Sequence, residues 1–465
     1  MSQLKKHTAS IEARENISLS LPLIGSWLIY SLSGFIGTVM VAHLGEDALA
    51  ASVLVTAIWS TLSVFFFGIF SAVSILISHQ YGARNFGAIS RIMGQAFLQG
   101  FFICFPIMFA ILLVPYILHW TTQTPLVTAL ATQYGHALLW SIPGVIVLII
   151  LEHFLNGIGK TKMSLWISLL EVPFEIFLMY GFVFGKFGFP NCGIAGVGYG
   201  IAASYTITAI LLVAYLYRAH FAKPFHVFKK IGGFDKPYFS EILRVGVPIG
   251  ITYLIEVSAF MFVTFFMAHF NTNALAAHQI AMQYMGLTIN VAYAMSQAVS
   301  IRIGLNVGRQ DMVGVRYASY VGLSLVGGVV LLISCIYLFF PELLLRVDSA
   351  ADHPINAEVA KEAISFLMIL GVFQFFDSIR IMETGILRGL KDTKFAMYSS
   401  IITFWVIGTF CAFLFGFGFG WEGKGIWWGM TLGVAAGALI LSFRSRMLLR
   451  RNNLSEVIQM PGRLD

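Results

Sequence analysis

Apolar stretches of about 20 to 30 residues, parted by short polar breaks, fill the chain from position 17 to position 447. Crossing lipid takes about ten residues as a barrel strand but about twenty as a helix, and the stretches match the helix. Backbone amides and carbonyls inside hydrocarbon must be paired within the segment, which a helix does alone. The pattern therefore predicts an all-α integral membrane protein with twelve transmembrane helices, over 17–41, 49–79, 94–118, 127–157, 163–186, 194–217, 241–269, 274–305, 316–340, 357–388, 395–417 and 425–447. The longest polar interval, from Arg218 to Glu241, divides them into two sets of six. The expected organisation is a six-helix lobe over 1–220, a cytoplasmic linker over 221–240, a second lobe over 241–450 and a cytoplasmic tail over 451–465.

The two sets are one unit written twice. Residues 22–84 recur 226 positions later without a gap: Pro22 answers to Pro248, Ala42-His43-Leu44 to Ala268-His269-Phe270, and Ser71-Ala72-Val73-Ser74-Ile75 to Gln297-Ala298-Val299-Ser300-Ile301. Further on, Leu155-Asn156-Gly157-Ile158-Gly159-Lys160 answers to Leu387-Arg388-Gly389-Leu390-Lys391-Asp392 at an offset of 232. An even number of spans per copy makes both copies enter from one side, so the implied pseudo-two-fold axis runs along the membrane normal, a plan used by transporters that rock one bundle against another.

Composition agrees, with 58% hydrophobic residues against 11% charged. With the N-terminus inside, 23 of the 29 Lys and Arg residues fall in cytoplasmic segments. Basic residues resist translocation, so both termini are expected in the cytoplasm. The formal charge of +7 is thus a topology signal and gives no support to nucleic-acid binding. The first apolar stretch follows a polar start and lacks a cleavage site, which reads as an uncleaved anchor. The cysteines, Cys104, Cys192, Cys335 and Cys411, are too scattered for a disulfide framework or zinc set. There is no phosphate-loop motif, so no nucleotide is expected and uphill transport would draw on an ion gradient.

Acidic residues inside helices carry the candidate chemistry: Glu152, Glu171, Glu175, Glu256, Asp377 and Glu383. A carboxylate at mid-bilayer costs ~3 kcal/mol or more, so each requires a partner, a proton or a wet cavity. Glu256 has apolar neighbours and no basic residue within reach along its own helix. It reads as a cation or proton site, or else as a protonated carboxyl bonded to a neighbouring helix. Its counterpart in the first copy is Tyr30. Asp377, Arg380 and Glu383 follow one another at intervals of three, which puts Arg380 within reach of both acids. That spacing leaves open a functional Asp377, a structural ion pair, or a pair of Arg380 with Glu383 alone. Glu171 and Glu175 flank Pro173 on one helix face, where like charges repel, so one holds a proton or both share a cation unless one is solvated at a loop.

The chain resembles the multidrug and toxic compound extrusion (MATE) family in its NorM-like branch. The likeness rests on Met267-Ala268-His269, Ala276-Ala277-His278-Gln279, Ala298-Val299-Ser300-Ile301-Arg302-Ile303-Gly304, and Asp377 ten residues before Leu387-Arg388-Gly389. It implies a non-enzymatic antiporter of a bacterial inner membrane, expected as a monomer, which exports amphipathic organic cations in exchange for protons or sodium ions and needs no other cofactor. It further implies a coupling site at Glu256 and Asp377, with the aromatic Phe373 facing the ion and both acids as metal ligands if sodium is used. Tyr30, Glu171, Glu175, Gln279 and Gln283 are substrate or proton candidates, and Arg380 and Glu383 possible modulators.

Two departures from the family pattern stand out. The family usually carries an aspartate in helix 1, where this chain reads Phe35-Ile36-Gly37-Thr38, and polar amides in helix 5, where it has Glu171 and Glu175. Negative charge lost at Gly37 is thus expected to have moved to helix 5. Phe373 lacks the hydroxyl of a tyrosine and Arg380 adds positive charge, which favours protons over sodium. The alternative is a flippase for lipid-linked saccharides of the same superfamily, disfavoured because such cavities tend to be cationic. A passive channel or membrane enzyme would lack, respectively, a reason for the duplicated design and a clustered nucleophile or metal set.

Overall fold

The computed structural model describes residues 9–120, 123–349 and 356–451. Among these residues the chain is helical throughout. Helices α1 (Ala9–Ala42), α2 (Glu46–Gly82), α3 (Phe86–Leu112, continued by Val114–Trp120), α4 (Pro125–Leu139 and Ser141–Gly157), α5 (Thr161–Phe184) and α6 (Ala195–Arg218) form the first set. The second comprises α7 (Lys236–Phe270), α8 (Thr272–Gly308), α9 (Met312–Phe339), α10 (Ala357–Gly389), α11 (the run from Thr393 to Gly418) and α12 (Glu422–Arg450). Ten are long and apolar enough to cross a membrane on their own, and α4 makes an eleventh when its two pieces, bent by 46°, count as one span. The twelfth, α8, is 37 residues long and the polar member of the set, carrying Asn273, His278, Gln279, Gln283, Asn290, Arg302 and Asn306. Lys5, Lys6, Asp352, Arg463 and the expected tail beyond Arg451 lie outside the described residues.

Helix ends follow local chemistry. Asn85 caps α3 by accepting from the Ala88 amide at 3.2 Å, and its repeat counterpart Asp311 caps α9 by accepting from Gly314 at 2.9 Å. The residue before each cap, Arg84 and Gln310, is left-handed with φ of 57° and 60°. The duplication thus reaches the turns. It also reaches the packing. A Cβ on Gly157 would lie 2.9 Å from Ile77 and from the Ser74 carbonyl, and one on Gly389 would lie 2.8 Å from Ile303 and 2.9 Å from the Ser300 carbonyl. Those neighbours are themselves repeat counterparts.

Two compact units emerge, and their borders fall inside helices α1 and α7. One unit is Gly25–Gly250; the other joins residues up to Ile24 to those from Ile251 onward. The expected linker 221–240 belongs to the first unit because it is strapped to α3. Ser90 Oγ donates to His226 O at 2.8 Å, Gln95 Nε2 to Gly233 O at 2.5 Å, and Arg91 faces Asp235 at 3.7 Å. The first turns of α1 belong to the second unit because Glu12 is wholly buried and accepts from Arg302 at both oxygens, at 2.8 and 2.9 Å. Leu19 and Leu23 then pack on Ala294 and Ala298.

Helix α11 differs from the regular span expected over 395–417. It widens into π turns at Ile401–Thr409 and Leu414–Gly418, with Thr409 Oγ1 donating to the Phe404 carbonyl five residues back at 2.8 Å. The wide turns meet a stripe of glycines on α12, Gly425, Gly429, Gly433 and Gly437, where a Cβ would strike the backbone of Phe415, Ala412 and Thr403 and the Thr403 side chain. Small residues at every fourth position let helix backbones touch in lipid. Gly429→Ala should therefore lower the melting temperature in detergent, at a cost of about 1–3 kcal/mol. Gly327→Ala, with nothing within 4 Å, should leave it unchanged.

Candidate coupling sites

In the unit that begins at Ile251, the acids of α7 and α10 converge on one guanidinium. Arg380 donates from Nε to Asp377 Oδ1 at 2.7 Å and from Nη1 to Glu256 Oε1 at 2.8 Å. Only 1% of its surface is exposed, against none of Asp377 and 6% of Glu256. The Tyr293 hydroxyl of α8 donates to Glu256 Oε2. Below the guanidinium lies the Phe404 ring of α11, 4.7 Å away. Phe373 is buried one turn before Asp377, edge-on to Phe260 at 6.1 Å and Trp427 at 5.9 Å. A second arginine, Arg388, stacks on Tyr253 and donates to its hydroxyl at 2.8 Å, and Tyr253 in turn meets Tyr293 ring to ring at 5.5 Å.

Several readings left open by spacing are now distinct. Glu256 and Asp377 come together as expected, but Arg380 sits between them. The pair of Arg380 with Glu383 does not form: Glu383 accepts from the Ser442 hydroxyl of α12 at 2.8 Å. The Glu256 neighbourhood is not free of positive charge, because its partner arrives from another helix. Gln279 and Gln283 lie exposed one turn apart on α8, outside this cluster.

A sodium ion fits these residues poorly. Hard cations gather several oxygen ligands. Here Glu256 Oε1 and Asp377 Oδ1 already hold Arg380, and Glu256 Oε2 holds Tyr293. Asp377 Oδ2 and Gln374 Oε1 are the oxygens left without a donor. A second cation about 4 Å from the guanidinium would also meet a repulsion of ~4 kcal/mol at an effective dielectric constant near 20. Among the described residues, no three His, Cys, Asp or Glu side chains are placed to hold a metal ion together.

The unit Gly25–Gly250 holds the opposite arrangement, acids without a base. Glu171 and Glu175 are both buried on α5, 0% and 4% exposed, so neither is solvated at a loop. The Ser204 hydroxyl of α6 donates to Glu171 Oε1 at 3.1 Å, and the Ser33 hydroxyl of α1 faces Glu175. One oxygen of each, Oε2, has no partner. Tyr30 is placed here too, donating to Glu152 of α4 at 3.1 Å, and Tyr205 stands within the electrostatic reach of all three carboxyls. No ion pair reaches the three acids among the described residues. Sequence reasoning found Glu152 as a helix acid but not its link to Tyr30, since the two lie 122 residues apart. Gly37 faces α5, where an added Cβ would rest 3.8 Å from Met179 Sδ, an ordinary contact one turn beyond Glu175.

These features define a helical membrane transporter made of a duplicated bundle, with one polar cluster inside each unit. The MatE family model matches the chain twice, over 22–180 and 248–414, following the internal repeat. A probable multidrug resistance protein NorM of Rhizobium meliloti is 33% identical over 444 residues, covering 94% of each chain. Its namesake in Pseudomonas aeruginosa is 30% identical, over 96% of this chain and 92% of that one. Among solved structures, an outward-facing multidrug resistance MATE family transporter of the MOP superfamily superposes with a TM-score of 0.85 at 18% identity, covering 94% of this chain and 96% of that one. The eukaryotic MATE transporter AtDTX14 does so at 0.82 and 20%, covering 97% and 100%. The chain belongs to the MATE family and to its NorM-like members.

The ion triad makes a stability prediction. Asp377→Ala leaves a buried guanidinium half-paired, which costs about 3–5 kcal/mol and should lower the melting temperature clearly. Glu383→Gln keeps the acceptor for Ser442 and should melt like the native protein.

Proposed function

We propose that the protein is a multidrug efflux transporter that exports amphipathic organic cations by antiport with protons, and that the carboxyls of Glu152, Glu171 and Glu175 carry the exchanged proton. The observation behind the proton assignment is the contrast between the clusters. The two carboxylates of the second unit share one guanidinium that is always charged. Those of the first unit have, among the described residues, hydroxyls alone as partners. Buried negative charge without a counter-charge is expensive, so this cluster holds a proton unless a cation replaces it. A substrate cation and a proton would then compete for the same carboxyls, which is the coupling antiport requires.

The relatives' names support the multidrug reading, and the aromatic content suits it. Flat apolar cations are held by aromatic faces and fixed carboxylates, and 15% of the chain is Phe, Trp or Tyr. Lys and Arg asymmetry supports placement in the bacterial cytoplasmic membrane with both termini inside. A single chain carries both repeats, so a monomer suffices.

Proteoliposomes loaded with an ethidium-like cation test this reading. An inward proton gradient should drive efflux and an inward sodium gradient should not. Glu171→Gln with Glu175→Gln should lower the proton-driven rate at least ~10-fold, equivalent to about 1.4 kcal/mol. Gly37→Asp added to that double variant should restore part of the rate, because the new carboxyl would sit against Met179 beside the lost ones. Sodium-driven efflux, or full proton-driven efflux in the double variant, would overturn the assignment.

A further inference from the structure

Arg380 is placed where a mobile cation would have to bind. Its two donors take one oxygen from each of the carboxylates that the family resemblance assigns to ion coupling, Glu256 and Asp377. The guanidinium is desolvated, lies over the Phe404 ring at 4.7 Å and rises from the same helix as Asp377, three residues on. Two polar oxygens on α10 remain unused. Asp377 Oδ2 accepts from nothing, and Gln374, wholly buried one turn away, gives its amide nitrogen to Ser378 at 3.3 Å while its Oε1 has no donor. The Nη2 of Arg380 also has no acceptor, so the guanidinium does not use up the acceptors of its own helix. Together with the two oxygens that Arg380 holds, Asp377 Oδ2 makes three carboxylate oxygens on α7 and α10, the ligand chemistry of a hard cation.

We propose that Arg380 is a tethered cation that stands in this unit for a mobile one, and that the side chain at position 380 sets whether the unit binds an alkali cation. With arginine present, Glu256 and Asp377 are closed to sodium. With a neutral side chain of similar length, the same oxygens become a sodium site. The residue acts by occupying the site and touches no substrate, so it is a specificity-determining residue rather than a transporting one. The inference rests on the antiporter reading for its significance, but its test reads ion binding and not transport, so the two can fail separately.

The experiment is equilibrium binding of radioactive sodium to purified full-length protein in detergent, for the native chain, Arg380→Gln, Arg380→Lys, Asp377→Asn and the double variant Arg380→Gln with Asp377→Asn. The native protein and Arg380→Lys should show no saturable binding. Arg380→Gln should bind sodium saturably, with at least ~10-fold more sodium bound than either at the same low concentration. The double variant should lose that gain. Saturable sodium binding by the native protein that disappears in Asp377→Asn would overturn the proposal, and this arm decides even if Arg380→Gln fails to fold. An Arg380→Gln protein that melts cooperatively yet binds no sodium would also overturn it.

Discussion

The buried guanidinium of Arg380 is the interaction on which the second unit is arranged. It links α7 to α10 through Glu256 and Asp377, rests on α11 through Phe404, and reaches α8 through the Tyr293 that shares Glu256. Four helices therefore meet at a single charge. Such a centre is costly to desolvate and costly to break, because removing one partner strands the others in an apolar surround. The arrangement is strong only while every member stays.

That constraint gives the first unit its different character. Among the described residues, Glu152, Glu171 and Glu175 have only hydroxyl groups to meet them, from Tyr30, Ser33 and Ser204. Hydroxyls can donate to a carboxylate or accept from a carboxylic acid, so these contacts can persist across a change of protonation, while Oε2 of Glu171 and of Glu175 stays open. Arg380 offers no such freedom to Glu256 and Asp377. The duplicated helices thus carry two kinds of polar centre, one of carboxyls met by hydroxyls and one built around a fixed guanidinium.

Much of this was legible in the sequence, and the boundary is physical. Long apolar runs and the 226-residue offset report segment length and ancestry, both local properties, so the helices and the repeat were visible along with six of the helix acids, though not the buried Glu12. The pairing of Asp377 with Arg380 was visible too, because a spacing of three on a helix brings side chains together. Partners on other helices were not. Nothing local to Glu256 announces Arg380, nothing local to Glu383 announces Ser442, and Glu12 meets Arg302 across 290 positions. The same limit hid the unit borders, which follow the burial of Glu12 and the strapping of 221–240 to α3, and not the polar interval itself. The π turns of α11 depend on the glycine face of α12, a demand that α11's own composition does not express.

The central claim is that substrate cations displace a proton from the first unit and leave the second unchanged. Its most direct measurement is the number of protons released when an ethidium-like cation binds to the purified protein in weakly buffered detergent. The account predicts release by the native protein and by Asp377→Asn, and none by Glu171→Gln with Glu175→Gln even where that variant still binds the cation. Release that persists in the double glutamine variant and vanishes in Asp377→Asn would contradict it.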